Sequence, residues 1–249
     1  VCAASLMGPG ARGPMARADM QRMKKWLGSY GVEIAVVLLP QGRDTQYWNA
    51  RFGRPERDRE IEDVSETIRV IAEAGVPVVE YTWSVPDVWG STPEGAEGRG
   101  GVHVRSFDYD RVKDAPPEPG EGSTAEEMWE RLNYFLERVI PAAEDAGVRL
   151  AFHPHDPPTP MLKGEARILG NLEGLRRLIE MFPSEANGLN FCQGTVAEMG
   201  VDVIEAIRYF GKRDKINHVH FRNVRGAVPR FDESFIDDGD VDMLAAMRA

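Results

Sequence analysis

Two hydrophobic periods alternate along this chain. Met20, Met23, Leu27 and Tyr30 recur at helical spacing within residues 18–30, and the run stops at Gly31. The next stretch, Val32 to Pro40, is apolar with hardly an interruption, the mark of a strand buried on both faces. The same order returns with Ile61, Val64, Ile68 and Ile71 in a helix over 60–74, then Gly75 and a strand from Val76 to Tyr81. A third unit spans 124–146, with Met128, Leu132, Phe135 and Val139 on one face behind a capping-box start at Thr124-Ala125-Glu126-Glu127. Pro141 is expected to kink this helix before Gly147 opens a strand at Val148. Further helices are predicted over 171–182, 203–210 and 240–249, with strands over 1–7, 188–194 and 216–224. Residues 84–123, rich in Gly, Pro and Glu, are too long for a plain connection and read as a lid or a disordered loop.

Gly-Val junctions at 31, 75 and 147 thus mark repeated returns from helix to strand, the grammar of parallel α/β sheets and barrels. At 249 residues, one α/β domain over 1–249 accounts for the whole chain. In such folds chemistry collects where strands end.

Composition narrows the partners. A net charge of −10 without a basic stripe argues against nucleic acid, and no apolar run is long enough to cross a bilayer, so no membrane partner is expected either. Cys2 and Cys192 form no disulfide framework, which fits a reducing cytoplasm. The first residues lack both a basic signal-peptide start and an initiator methionine, so Val1 need not be a natural N-terminus. A homo-oligomer is compatible with all of this.

The chemistry-bearing residues gather at three successive strand ends. The apolar run Val148 to Phe152 stops abruptly at His153-Pro154-His155-Asp156-Pro157-Pro158, where prolines forbid further ladder hydrogen bonds; Cys192 and the pair His218/His220 end the next two strands. Any one of these residues alone is an ordinary core side chain. Together, imidazoles and a thiol on one rim suit a divalent transition metal such as Mn²⁺, Fe²⁺ or Zn²⁺, with Asp156 available to support the ligands. Alternation puts His218 and His220 on one face, with His220 nearer the rim. Arg222 should continue that face and could grip a carboxylate with its forked donors; a plain salt bridge is the alternative.

The chain resembles the mannonate dehydratases of the xylose-isomerase-like barrel superfamily. The residues that carry the likeness are His153-Pro154-x-Asp156-Pro157-Pro158, Arg167-Ile168, Asn187-Gly188-Leu189-x-Phe191-Cys192-x-Gly194, His220-Phe221-Arg222-Asn223-Val224 and Gly239-Asp240-Val241-Asp242-Met243, with the helix from Trp129 to Gly147. The resemblance implies a TIM (β/α)8 barrel and a metal, Mn²⁺ or Fe²⁺, on His153, Cys192 and His220. It also implies a hydro-lyase converting D-mannonate to 2-keto-3-deoxy-D-gluconate in hexuronate breakdown. Arg222, Asn223 and Arg167 are then expected to hold the sugar acid, and His155 and Asp156 to serve catalysis. Two positions depart from the family pattern: His155 stands where Asp is usual, and Ser5-Leu6-Met7-Gly8 stands for a His-Asp-Met-Pro-like segment. Against the same pattern, the chain supplies strands two to seven. Strands one and eight, with a fourth ligand Asp, an adjacent catalytic His and a later Tyr, are expected to lie outside it, impairing this chain on its own. Two alternatives compete: a sugar isomerase or epimerase of the same superfamily, which would favour carboxylate ligands over Cys192, and a non-catalytic protein that binds metal or sugar acid.

Overall fold

The computed structural model describes residues 2–5, 13–42, 45–84 and 91–249, with the backbone alone for the first strand. The elements follow in the order β1 (Cys2–Ser5), α1 (Arg17–Gly28), β2 (Ile34–Leu38), α2 (Trp48–Arg51), α3 (Arg57–Glu73) and β3 (Val78–Thr82). After three short strands, β4 (Ala96–Glu97), β5 (His103–Val104) and β6 (Ser106–Asp108), come α4 (Ala125–Ala146) and β7 (Arg149–His153). The small hairpin β8 (Met161–Leu162) and β9 (Glu165–Ala166) precedes α5 (Leu172–Met181), β10 (Asn187–Cys192), α6 (Gln193–Glu198) and α7 (Val203–Gly211). The chain closes with β11 (Ile216–His220), β12 (Asn223–Ala227), β13 (Arg230–Ser234) and α8 (Met243–Arg248).

Six strands form one parallel sheet in the order β1-β2-β3-β7-β10-β11, so sequence neighbours are sheet neighbours, as successive β-α-β units require. The glycines at the helix-to-strand returns do the work predicted for them: Gly31, Gly75 and Gly147 all take left-handed φ, which ends each helix without a Cβ penalty. Alternation then sorts the side chains. Val79, Tyr81, Leu150, Phe152, Leu189 and Phe191 point outward into the main core with α3, α4 and α5, where Ile61, Val64, Ile68, Ile71, Met128, Leu132, Phe135 and Val139 are all buried. The opposite face carries a small apolar patch of Val36, Val78 and Ala151 and, above it, polar side chains.

The sheet is curled. In a flat sheet three strand spacings, about 14 Å, separate β3 from β11. Yet His218 Nδ1 on β11 lies 3.1 Å from Glu80 Oε2 on β3. This is the curl of an α/β barrel wall, with Glu80, His218 and His220 on its inner face.

Helix α4 opens with the predicted capping box, the side chains of Thr124 and Glu127 each accepting from the other's backbone N–H, and it continues through Pro141. Three expectations change. Tyr30 lies past the end of α1 and is exposed. The strand predicted over 216–224 is two: β11 stops at His220, and β12 belongs to a separate antiparallel sheet, ordered β12-β13-β6. The described part of the 84–123 segment contributes β6 to that sheet, and β4 pairs with β5. Strands of two or three residues are too short to show a period.

Two glycines separate packing from propensity. In α5, a Cβ on Gly174 would collide with the Ile168 carbonyl, whereas a Cβ on Gly28 in α1 meets nothing within 4 Å. Gly174→Ala is expected to destabilise by about 1–3 kcal/mol through overpacking. Gly28→Ala is expected to be neutral or to stabilise by up to about 1 kcal/mol. Thermal unfolding of both variants checks the packing around the 157–174 loop.

Candidate metal centre

The upper inner layer is built by strand ends. Cys192 is the last residue of β10 and pairs in register with His220 at the end of β11, while His153 ends β7. Donor atoms of His153, Cys192 and His220 all lie within 4.8 Å of one another, and the two imidazole rings are 5.1 Å apart. One inward step lower on the strands sit Glu80 and His218, with Glu80 opposite Ala151 where Thr82 is opposite His153. Asn190 Nδ2 stands 3.1 Å from His220 Nε2.

Charge is concentrated here in little water. Burial works to hold the Cys192 thiol protonated, but the nearby His153, Arg222 and His220 outweigh it and pull the thiol well below its ordinary value. Burial likewise opposes charge on His220, yet Cys192 and Glu80 raise it to about 10, and Cys192 raises His153 in the same way. Glu80, despite burial, is held down to about 2 by hydrogen bonds to His218 and His220. The surroundings thus favour the thiolate at Cys192 and a proton on the neighbouring imidazoles, and a divalent cation binding here would replace such protons.

The tautomer of His153 fits the same use. Its Nδ1 lies 2.7 Å from the Pro154 carbonyl, which can only accept, so Nδ1 carries hydrogen and Nε2 is the donor nitrogen. Two imidazoles and a thiolate are a sound ligand set for a divalent transition metal, and these residues could hold one.

Residues 16–119 and 121–249 match the family model described as D-mannonate dehydratase (UxuA). The chain belongs to the D-mannonate dehydratase family. The mannonate dehydratase of Streptococcus suis (strain 05ZYH33) is 31% identical over 258 residues, covering 92% of this chain and 69% of that protein. The mannonate dehydratase of Thermotoga neapolitana is 35% identical over 239 residues, covering 83% and 65%. Among solved structures, the S. suis serotype 2 mannonate dehydratase superposes with a TM-score of 0.85 at 28% identity, over 99% of this chain and 71% of that one. A D-allulose 3-epimerase from Methylomonas sp. shares only the barrel fold, with a TM-score of 0.59 at 12% identity. The dehydratase reading of the sequence is thus the one that the relatives support.

Around the three donors, the structure distributes the other candidate residues of this dehydratase-family chain differently from the sequence expectation. His155 was expected at the rim, but the chain leaves the β7 line at Pro154 and His155 turns into the interior, fully enclosed. There burial and the Arg167 and Arg51 guanidiniums drive its pKa well below the ordinary value, so it is a neutral imidazole away from the donor cluster. Arg167 is also buried. It donates to the Asp156 and Pro157 carbonyls and pairs with Glu165, which in turn pairs with Arg51. Its role here is to fix the proline loop.

Asn223 corrects the expectation most fully. Its amide donates to the Ile236 and Val241 carbonyls and accepts from the Val224 and Val241 backbone N–H groups, so every hydrogen-bonding position serves the chain itself. It is 1% exposed and holds β12 to the 236–241 turn.

Arg222 does not continue the β11 face, because that strand ends two residues earlier. Its guanidinium donates to Asp156 Oδ2 at 2.8 Å, Glu198 Oε1 at 2.6 Å and Thr195 Oγ1 at 3.1 Å. It therefore ties the β7 loop to α6 just behind Cys192. Burial and the adjacent Asp156 raise Glu198 well above the ordinary carboxyl value despite Arg222. Asp156 thus works through Arg222 and Thr195 rather than at the donor cluster.

Sequence reasoning missed Glu80 and Asn190. Both carried a signal, a lone polar residue at an alternate position in an apolar strand, Val78-Val79-Glu80-Tyr81 and Leu189-Asn190-Phe191.

Two outcomes follow from this arrangement. Asn223→Ala is expected to cost about 2–4 kcal/mol of stability, since it orphans buried backbone groups, while metal stoichiometry stays unchanged. Arg222→Met removes the cation whose single Nη2 reaches Asp156, Glu198 and Thr195; unfolding temperature and metal affinity should both fall. A variant with wild-type melting and metal binding would show that the cation behind Cys192 is dispensable.

Proposed function

We propose that His153, Cys192 and His220 hold one divalent metal, Mn²⁺ or Fe²⁺, and that the site dehydrates D-mannonate to 2-keto-3-deoxy-D-gluconate. The observation that carries the reading is the convergence of three donors from three consecutive strands within 4.8 Å in a chain of the mannonate dehydratase family.

The reaction removes the proton at C2 and the hydroxyl at C3 as water, and the resulting enol ketonises at C2. Neither half is easy, because the C2 proton is weakly acidic beside a carboxylate and hydroxide is a poor leaving group. A bound metal supplies a Lewis acid that draws electron density from the substrate oxygens and so eases both. The protein's own part is to keep the donors in one place and in the right form. Pro154 sets the His153 tautomer through its carbonyl. Arg222, anchored on Asp156 and Glu198, favours the Cys192 thiolate. Glu80 lies 3.5 Å from His220 Nε2 and steadies that ring from below. The small-molecule partner is a sugar acid.

An isomerase or epimerase of the same fold is the weaker alternative, since the upper donor layer contains a thiolate and no carboxylate. The test is metal content together with 2-keto acid formation from D-mannonate. The wild type should bind one equivalent of Mn²⁺ or Fe²⁺, and His153→Ala, Cys192→Ala and His220→Ala should each lower affinity at the upper site by at least about tenfold, the scale of losing a supporting contact. Stripping the metal should abolish product formation, and adding it back should restore it. A wild type that takes up no divalent metal overturns the reading.

A further inference from the structure

We propose that Glu80, His218 and His220 form a second divalent-cation position, one layer deeper than His153/Cys192/His220 and alternative to it because both use His220. This rests on the reading of the upper cluster as a metal site and extends it to the choice of ion.

The lower triad stands on geometry. Glu80 Oε2 is 3.1 Å from His218 Nδ1 and 3.5 Å from His220 Nε2, and donor atoms of all three residues lie within 4.8 Å of one another. Edges of that length suit ligands on a single ion, since metal–ligand bonds of about 2.0–2.2 Å at tetrahedral angles separate their ends by roughly 3.3–3.6 Å. A second observation points the same way. Glu80 is 1% exposed, and its other carboxylate oxygen, Oε1, is buried without a hydrogen-bond partner. A buried carboxylate oxygen left unsatisfied is costly, and a cation beneath the imidazoles would satisfy it.

The two positions differ in chemistry. The upper offers two imidazoles and a thiolate, which accept a softer ion such as Zn²⁺ as well as Mn²⁺ or Fe²⁺. The lower offers two imidazoles and a carboxylate, a set that suits Mn²⁺ or Fe²⁺. Simultaneous occupation would require His220 to bind a cation through each ring nitrogen and so to lose both protons. A neutral imidazole has one lone pair to give, so one ion is held at a time. A soft ion is then confined to the upper layer, whereas Mn²⁺ or Fe²⁺ has both layers open to it, with His220 as the pivot.

Metal-stripped protein titrated with Co²⁺ and separately with Mn²⁺ tests this, since a thiolate on cobalt gives a charge-transfer absorption that oxygen and nitrogen ligands do not. Wild type should bind one equivalent of Co²⁺ with that absorption. Cys192→Ala should still bind one equivalent, with ligand-field bands but no charge-transfer band. Adding Glu80→Gln to Cys192→Ala should weaken cobalt binding by at least about tenfold, and His218→Ala should do the same if the buried Glu80 variant fails to fold. Mn²⁺, read by electron paramagnetic resonance, should still bind to Cys192→Ala, and that binding should weaken by at least about tenfold when Glu80→Gln is added. If Cys192→Ala binds no metal while wild type does, only the upper position exists: the second site is overturned and the proposed metal centre stands. Binding by the double variants equal to that of Cys192→Ala also overturns it, leaving Glu80 as a hydrogen-bond partner of the histidines alone. A wild type that binds neither ion overturns both readings.

Discussion

Everything in this site depends on the curl of the parallel sheet. Glu80 and His218 stand on strands separated by two others, and only bending of the sheet brings their side chains to 3.1 Å. The curl follows from residue size as well as strand twist. The inner face is floored by the small residues Val36, Val78 and Ala151, whereas the outer face carries Tyr81, Phe152, Leu189 and Phe191 against the helices. Large side chains outside and small ones inside let the wall close on the inner face. The main core therefore lies between sheet and helices and stabilises a shape whose candidate site is on the other side.

Electrostatics then constrain what can occupy that inner face. A carboxylate, three imidazoles and a thiol share a space with little solvent, where an uncompensated charge would be expensive. The structure resolves this by interleaving signs: Glu80 against His218 and His220, Cys192 between His153 and His220, and Arg222 behind Cys192 and bound to Asp156 and Glu198. The charged forms of Glu80, Cys192 and His220 are each favoured by neighbours of opposite sign. A cation that enters such an arrangement takes the place of imidazole protons, so its binding is coupled to their release.

Much of this was legible in the sequence, for reasons that differ by residue. The helix-to-strand returns were readable because a glycine with left-handed φ is nearly obligatory there, and the core stripes because burial imposes a period. His153, Cys192 and His220 were readable because strand ends in a parallel sheet meet on one rim, whatever the details of the loops. Arg222 was misplaced because alternation was carried past the end of a strand, and His155 because the strand's line was carried past Pro154. His155 lies beyond Pro154 and Arg222 beyond His220, where the backbone turns and parity no longer predicts direction. Asn223 misled differently. A motif position rich in hydrogen-bonding capacity resembles a binding residue, but all of that capacity is spent on one turn.

Asn223 and Glu80 are both buried polar residues, and their hydrogen bonding differs completely. Each is 1% exposed. Asn223 closes its own account, since every donor and acceptor on its amide meets a backbone group within eighteen residues in sequence. Glu80 does not: one oxygen serves two imidazoles and the other serves nothing among the described residues. A fold selected for stability alone would fill that position with a small apolar side chain like Val78 or Ala151, since a buried ionic group is commonly no more stabilising than a hydrophobic one of its size. A carboxylate kept ionised beneath the His220 imidazole, with coordination capacity to spare, is better explained by what it can hold than by what it stabilises.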